Sequence, residues 1–244
     1  NGVLGVAVSF GFSYSPRILD GFIEQWSWQG AWRVMAIFIG AGFALLAFLF
    51  YRDTPEEHGL VPDGRDITAS ARNHPETVAA RSFTLPEAQR TFTYWLFIAA
   101  LLMSGLLVTA FTFHVVSIFE TSGLTREQAV AIFFPASIVA VSAQFIGSYI
   151  SDYIRLKYIL IAQLFGMLLL SFGVVILQPG LPVVMVIAGM GINQGLFGVN
   201  GNIVWARFFG RKHLGAVSGF ATAWTVSGTA VGPYLFSLSL DTTG

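Results

Sequence analysis

The sequence predicts an all-α membrane protein, and three observations lead to that prediction. The 244 residues are 55% hydrophobic and 11% charged, whereas soluble proteins carry about 25% charged residues. The apolar residues form seven long runs, and each run has about the 20 residues that a helix needs to cross the bilayer core. One polar segment, residues 52–91, separates the first two runs from the other five.

The seven predicted transmembrane helices follow one another along the chain. In order they are Gly2–Ile23, Ala31–Tyr51, Phe92–Phe119, Ala129–Ile150, Tyr158–Leu177, Leu181–Val204 and Leu214–Leu240. Their apolar residues lie on all sides, as expected for helices surrounded by lipid and by other helices. Pro16, Pro135 and Pro233 lie within or near these runs and are candidate kink positions, which membrane helices tolerate.

Residues 52–91 form the one long polar segment. Between Arg52 and Arg90 the sequence holds five arginines and seven acidic residues. These charges, together with backbone groups that would lack partners, exclude the segment from the lipid core. We interpret its middle as a flexible connector between two groups of helices.

The end of this segment carries a local helix signal. Thr84 is a preferred helix-capping residue, Glu87 follows three positions later, and Pro86 falls in the first turn. This pattern predicts a short helix over about Leu85–Arg90 that lies at the membrane interface and leads into Phe92.

Positive charges are concentrated in one set of connections. Ten of the 13 Lys and Arg lie in the polar segment, in residues 151–157 and in residues 206–213. The positive-inside rule places this set, including residues 52–91, in the cytoplasm. The chain then crosses a cell membrane, plasma or bacterial inner, seven times, with Asn1 inside and Gly244 outside.

Composition excludes several kinds of chemistry. The formal net charge is zero, which gives no basis for nucleic-acid binding. The absence of cysteine excludes disulfides, thiolate catalysis and Cys-based metal sites. The sequence shows no Ser/His/Asp arrangement, no metal-ligand spacing and no phosphate-binding glycine motif. We therefore predict that the protein is not an enzyme and has no cofactor or metal.

Several short motifs occur in a characteristic order. They are Gly30-Ala-Trp-Arg33, Pro55-Glu-Glu-His-Gly-Leu60, Ser148-Tyr-Ile-Ser-Asp152 with Arg155 and Lys157, and Phe209-Gly-Arg-Lys-His-Leu-Gly215. In order and spacing they resemble the major facilitator superfamily of secondary transporters. The motif that ends at Asp152 resembles the loop between helices eight and nine of that family.

The resemblance implies a partial transporter bundle. Residues 1–51 would hold the last two helices of the N-terminal half, residues 52–91 the central loop, and residues 92–244 the first five helices of the C-terminal half. The chain would thus cover helices five to eleven of twelve. Phe113-His114 with Glu120-Thr-Ser-Gly-Leu124 resembles the branch of monocarboxylate transporters and oxalate/formate antiporters, which implies a small organic anion as substrate.

Asn193 and Gln194 are the first candidates for substrate contact. They lie about 18 Å deep in the run Leu181–Val204, near the bilayer midplane. One interpretation is helix packing, in which Gly191 and Gly195 have a close-packing spacing and the amides bond across an interface. The other is a polar patch that lines a substrate cavity, which transporters place at the midplane.

Four further residues are candidates for contact with the substrate. Gln144, Trp224 and Thr225 could line the same cavity. His114 is the only histidine in an apolar run and could bind substrate or relay a proton, although a structural histidine is common near a helix end.

Asp152, Arg155 and Lys157 are interpreted as a conformational latch. A carboxylate at this position can pair with a basic residue or a helix N-terminus in one state and release it in another.

The leading functional hypothesis is a secondary active transporter of a small solute that works by alternating access. Its energy source would be an ion or substrate gradient, such as a coupled proton or a counter-substrate. The alternative is a transporter-like receptor or scaffold that binds a ligand without moving it. Both hypotheses place the protein in the lipid bilayer with a small-molecule partner and without nucleic acid.

We predict that residues 52–91 face the cytoplasm, because most Lys and Arg lie on that side of the predicted topology. The sequence has no cysteine, so an Ala71→Cys variant introduces the one thiol of this chain. In intact cells the thiol should resist a membrane-impermeant maleimide and should react once the membrane is opened. Labelling in intact cells would reverse the predicted orientation.

Overall fold

The computed structural model describes residues 2–50 and 81–243. Predictions about residues 51–80, among them the position of Ala71 and the middle of the polar segment, lie outside the described residues. The chain forms two compact units, which are Phe10–Pro75 and the combination of Asn1–Ser9 with Glu76–Gly244.

The N-terminal part of the chain is helical over its described residues. Helix α1 spans Gly2–Ile37, a π-helical stretch follows at Phe38–Phe43, and α2 spans Ala44–Phe50. At Ser27 the backbone leaves the helical region, with φ 62° and ψ 167°. The sequence predicts two helices joined over residues 25–30, and the break at Ser27 falls within that connection.

The C-terminal part has seven helices among its described residues. They are α3 Leu85–Gln89, α4 Phe92–Thr121, α5 Arg126–Ala131, α6 Phe133–Ser151, α7 Leu156–Val175, α8 Leu181–Phe209 and α9 Leu214–Thr243. No strand occurs in the part of the chain that the structure describes, so the predicted all-α fold class is confirmed. The short helix predicted before Phe92 is confirmed as α3.

The predicted helix Ala129–Ile150 consists of two pieces, α5 and α6. The break lies at Ile132, three residues before Pro135. Proline has no N–H to donate to the backbone oxygen four residues earlier, which here belongs to Ala131. The helix resumes at once, because the N–H of Ala136 donates to the backbone oxygen of Ile132 at 3.0 Å. The interruption of the helix therefore lies where Pro135 lacks its N–H, although the backbone at Ile132 stays helical, with φ −66° and ψ −26°.

Five helical stretches among the described residues are long and apolar enough to cross a membrane. They are Gln25–Phe50, Phe92–Thr121, Arg126–Ser151, Leu156–Val175 and Leu181–Phe209, and they confirm five of the seven predicted segments. The other two, Gly2–Ile23 and Leu214–Leu240, are helical but fall outside this set. In α9, 13 of the 30 residues are Ser, Thr or Gly. They lower its apolarity, so its place in the membrane stays a prediction.

Helix α8 packs closely against α6 through glycine. A Cβ atom on Gly191 would lie 2.7 Å from the backbone oxygen of Ala136, and one on Gly195 would lie 2.9 Å from the Cβ of Ala143. A side chain at either position would push the helices apart. The predicted close packing at Gly191 and Gly195 is therefore confirmed.

Helix α8 packs equally closely against α7. A Cβ on Gly166 of α7 would lie 2.9 Å from the backbone nitrogen of Asn193, and one on Gly189 of α8 would lie 2.8 Å from the backbone oxygen of Gly166. Helices α6, α7 and α8 therefore form a tightly packed triplet with α8 in the middle.

Helices α4 and α9 form a second closely packed group. A Cβ on Gly228 would lie 2.7 Å from the backbone oxygen of Leu102, and one on Gly232 would lie 2.5 Å from that of Leu106. At the start of this pair, the buried Tyr94 hydroxyl donates to the backbone oxygen of Val217 at 2.7 Å. Helices α4 and α9 therefore form a closely packed pair.

Residues 81–91 and the ends of α6 and α8 define what we call the loop-side end of the bundle. The N–H of Phe83 donates to the backbone oxygen of Phe209 at 2.8 Å. The next residue, Gly210, has φ +81° and lies directly against Ser82, so that only glycine fits without strain. The segment before α4 is thus attached to the last turn of α8.

Helix α3 begins with the predicted cap. The N–H and the hydroxyl of Thr84 donate to Oε2 of Glu87 at 2.8 and 2.9 Å, an arrangement typical of a capping box. These two bonds, first the one from the N–H, lower the pKa of the Glu87 carboxyl. Arg81 lies 3.4 Å from the other oxygen of the same carboxylate. Glu87 therefore fixes the first turn of α3 and the residues before it.

We predict that Gly195→Ala lowers the free energy of unfolding by about 1–3 kcal/mol, because the added methyl overpacks the contact with α6. Gly201→Ala is the matched control, since Gly201 lies in the same helix and has no neighbour within 4 Å of its Cβ position. That change should stabilise the helix by up to about 1 kcal/mol. Thermal denaturation in detergent compares the two variants, and equal shifts would contradict the close packing.

Candidate functional site

Asn193 is fully buried in α8 and is hydrogen-bonded to α4. The hydroxyl of Ser104 donates to Asn193 Oδ1 at 2.8 Å. The amide nitrogen of Asn193 has no partner among the described residues. The amide therefore joins two helices through its oxygen and keeps two N–H donors for another group. Gln194, the next residue, is half-buried.

Gln144 lies against the same helix from the side of α6. Its amide nitrogen lies 3.2 Å from the Cβ position of Gly198, so the side chain covers this glycine. Gln144 is half-buried. Gln144 of α6 therefore lies against α8, the central helix of the triplet and the one that carries Asn193.

Trp224 and Thr225 lie on α9 and contact α4. The Trp224 ring centroid is 6.0 Å from that of Trp95, with the rings nearly perpendicular. The Thr225 hydroxyl donates within its own helix, to the backbone oxygen of Ala221 at 3.0 Å. No hydrogen bond of the described residues joins either side chain to Asn193.

His114 also joins α4 to α9. Its Nε2 lies 3.3 Å from the backbone oxygen of Pro233, a distance at which a protonated Nε2 donates. The imidazole stacks on Phe236, with ring centroids 4.9 Å apart. These contacts hold the half-buried histidine at a helix interface.

The proposed latch carboxylate pairs with a residue that the sequence analysis did not select. Arg207 of α8 places Nη2 2.9 Å from Oδ1 of Asp152, and its Nη1 donates to the backbone oxygen of Ser151 at 2.5 Å. Lys157 instead lies over the ring of Tyr158, 5.0 Å from its centroid. Arg155 precedes the first turn of α7. The one clue to Arg207 was its place in a basic connection predicted on the same side.

A second buried hydrogen-bonded pair, formed by two amides, was also missed. The Asn200 amide nitrogen donates to Gln163 Oε1 at 2.7 Å, and both side chains are fully buried. Asn200 follows Asn193 by seven residues, two helical turns, and so lies on the same face of α8. Gln163 was recognisable as the amide in the middle of an apolar run.

The described helices offer neutral hydrogen-bonding groups at mid-depth and charged groups at the loop-side end. Among the described residues, no cluster of three or more His, Cys, Asp or Glu could hold a metal ion. Buried amides and hydroxyls bind and orient a solute rather than transform it. The charged pair at the helix ends is suited to joining and releasing two helices.

The match to a protein family agrees with this arrangement. No curated protein matches the chain. The family described as Major Facilitator Superfamily matches residues 1–233. Its members are multi-pass membrane proteins that transport small molecules. The all-α fold and the five apolar spans are consistent with it. The chain therefore belongs to the major facilitator superfamily of secondary transporters.

Proposed function

We propose that the protein transports a small organic anion, such as a monocarboxylate, across a cell membrane by alternating access. A proton or a counter-substrate supplies the driving force. The loop-side end faces the cytoplasm, and the ion pair of Asp152 and Arg207 closes this end in one of the two states. This ion pair is the observation that carries the proposal.

The environment of the ion pair suits a reversible latch. The side chain of Arg207 is 15% exposed and that of Asp152 is 69% exposed. Exposed ion pairs contribute about 0.2–1 kcal/mol, whereas the Arg207 guanidinium also binds the last backbone oxygen of α6 and neutralises part of that helix end. The contact is strong enough to bias an equilibrium and weak enough to open.

The hydrogen-bonding groups around Asn193 favour a substrate with oxygen acceptors. Ser104 already occupies Oδ1 of Asn193, so the amide offers a substrate only its N–H donors. A carboxylate oxygen accepts such bonds well. The predicted helices Ala129–Ile150 and Leu214–Leu240 contain no Lys or Arg, which favours a monocarboxylate over a more highly charged anion. His114 is the candidate for a coupled proton, because imidazole can bind and release one.

We predict that Asn193→Ala raises the apparent KM for the transported anion about tenfold, which corresponds to about 1.4 kcal/mol. Asn200→Ala is the matched control, because Asn200 is equally buried and makes one side-chain hydrogen bond. Both variants should lose stability, by roughly 1 kcal/mol, but the control should keep its KM. Equal KM values in the two variants would show that Asn193 serves helix packing and does not contact the substrate.

We predict that Asp152→Asn and Arg207→Gln each reduce transport at least several-fold, because either change removes the latch, whose coupling should be roughly 1–3 kcal/mol. The measurement is uptake of radiolabelled lactate, formate and oxalate into proteoliposomes that contain the intact protein. An inward proton gradient and an internal anion pool provide the two possible driving forces. The wild-type protein should accumulate lactate or formate, the two monocarboxylates, above protein-free vesicles.

Lys157→Gln is the control for this experiment. It removes a neighbouring positive charge whose visible contact is with Tyr158, so its uptake should stay near that of the wild type. Normal uptake by Asp152→Asn at normal protein content would reject the latch. Binding of an anion without uptake by the wild type would identify a receptor instead of a transporter.

A further inference from the structure

A residue that contacts the substrate must be uncovered in at least one state, yet Asn193 is fully buried. The side chain bonded to it, Ser104, is itself 2% exposed. Exposure of the Asn193 amide therefore requires that Ser104 and the part of α4 around it move away from α8.

Helix α4 contacts the triplet at three levels. At the loop-side end, the Tyr94 ring lies 5.4 Å from Trp205 and 5.3 Å from Phe209 of α8. Towards the other end, Phe111 and Phe119 share an apolar cluster with residues of α7 and α8. The middle level holds the hydrogen bond between Ser104 and Asn193. The two ends thus hold large aromatic and apolar contacts, and the middle adds one polar bond to the smaller apolar contacts of Leu101 and Leu107.

The middle of α4 is also where the helix bends most easily. Ser104 is followed by Gly105, and Gly/Ser pairs are common kink positions in helices. Gly105 faces Thr229 of α9, whose methyl would lie 2.9 Å from a Cβ at that position. Helix α9 has its own weak points nearby, Gly228 and the stretch Gly232-Pro233. Helices α4 and α9 therefore have their candidate bending positions beside each other.

Asn193, the hydrogen-bond partner of Ser104, keeps its position in such a movement. The backbone of Asn193 lies against Gly166 of α7, and the neighbouring Gly191 and Gly195 lie against α6. These backbone-to-backbone contacts keep Asn193 in the triplet. Since about ten residues, or 15 Å, separate Tyr94 from Ser104, a kink of about 20° moves the middle of α4 by roughly 3 Å. Added to the present 2.8 Å between the Ser104 hydroxyl and Asn193 Oδ1, that displacement breaks the hydrogen bond.

We propose that Ser104 is a positioning residue of the substrate site. Its hydroxyl covers and orients the Asn193 amide while α4 is straight, and bending of α4 and α9 at Ser104–Gly105 uncovers it. The proposal rests on the role of Asn193 in the proposed function. It adds that access to the amide is controlled by α4 and that the rest of the triplet stays closed.

Thiol labelling tests this proposal without knowledge of the substrate. The variants Ser104→Cys and Asn193→Cys are prepared in a cysteine-free intact protein and exposed in membranes to N-ethylmaleimide. Ser137→Cys and Asn200→Cys are the matched controls, because Ser137 is a buried serine of α6 and Asn200 is a fully buried amide of α8. Asn200 bonds to Gln163 of α7 in a contact that the proposal keeps closed, and Ser137 lies outside α4 and α9, the two helices that bend. We expect the first two variants to react at least ten times faster than their controls.

Two results would overturn the proposal. One is equal protection of all four thiols in membranes, with full reaction in denaturing detergent, because α4 would then not open. The other is equal reactivity of all four, because the whole bundle would then be loose. Size-exclusion chromatography identifies a misfolded variant. If one of the two pairs, serine or asparagine, contains such a variant, the other pair decides. A KM unaffected by Asn193→Ala would reject Asn193 as a substrate contact but leave the labelling difference standing.

Discussion

Close contact between helix backbones is the constraint on which the C-terminal part of this protein depends. Lipid offers no hydrophobic force between helices, so association relies on packing and on a few polar bonds. Glycine supplies the packing in two separate places, around Gly191 and Gly195 in the triplet and around Gly228 in the α4–α9 pair. The space between these two groups is filled by side chains, and there the buried hydroxyl of Ser104 meets the buried amide of Asn193.

This division separates a rigid part of the molecule from an adjustable one. A helix that touches its neighbour with its backbone cannot slide without a clash, whereas side chains change rotamer and partner. The polar groups of functional interest lie at the edge of the triplet, at Asn193, and at its loop-side end, where Arg207 meets Asp152. Both positions combine a closely packed helix with a side-chain partner from a neighbouring helix, which is the arrangement that the proposed alternating access would require of the proposed binding site and latch.

The sequence was sufficient for the fold class, five apolar spans and the cap at Thr84, because these depend on local composition and on neighbours within one turn. The hydrogen-bond partners of the buried polar groups could not be predicted from the sequence. Ser104 and Asn193 are 89 positions apart, and Asp152 and Arg207 are 55 apart. Helices that are apolar on all sides carry no periodic signal of which face meets which. Arg155 and Lys157 were selected beside Asp152 by proximity along the chain, which does not reveal a partner on another helix such as Arg207.

The attachment of Phe83 to Phe209 joins the last residues before α4 to the end of α8. Phe209 stands two residues after Arg207, within the same turn of α8, so tension on the chain before α4 acts on the helix turn that holds Asp152. A load of this kind reaches the ion pair along a few covalent bonds and one hydrogen bond. Residues 81–91 are therefore more than a lead into α4, because a force that acts on them also acts on the turn of α8 that carries Arg207.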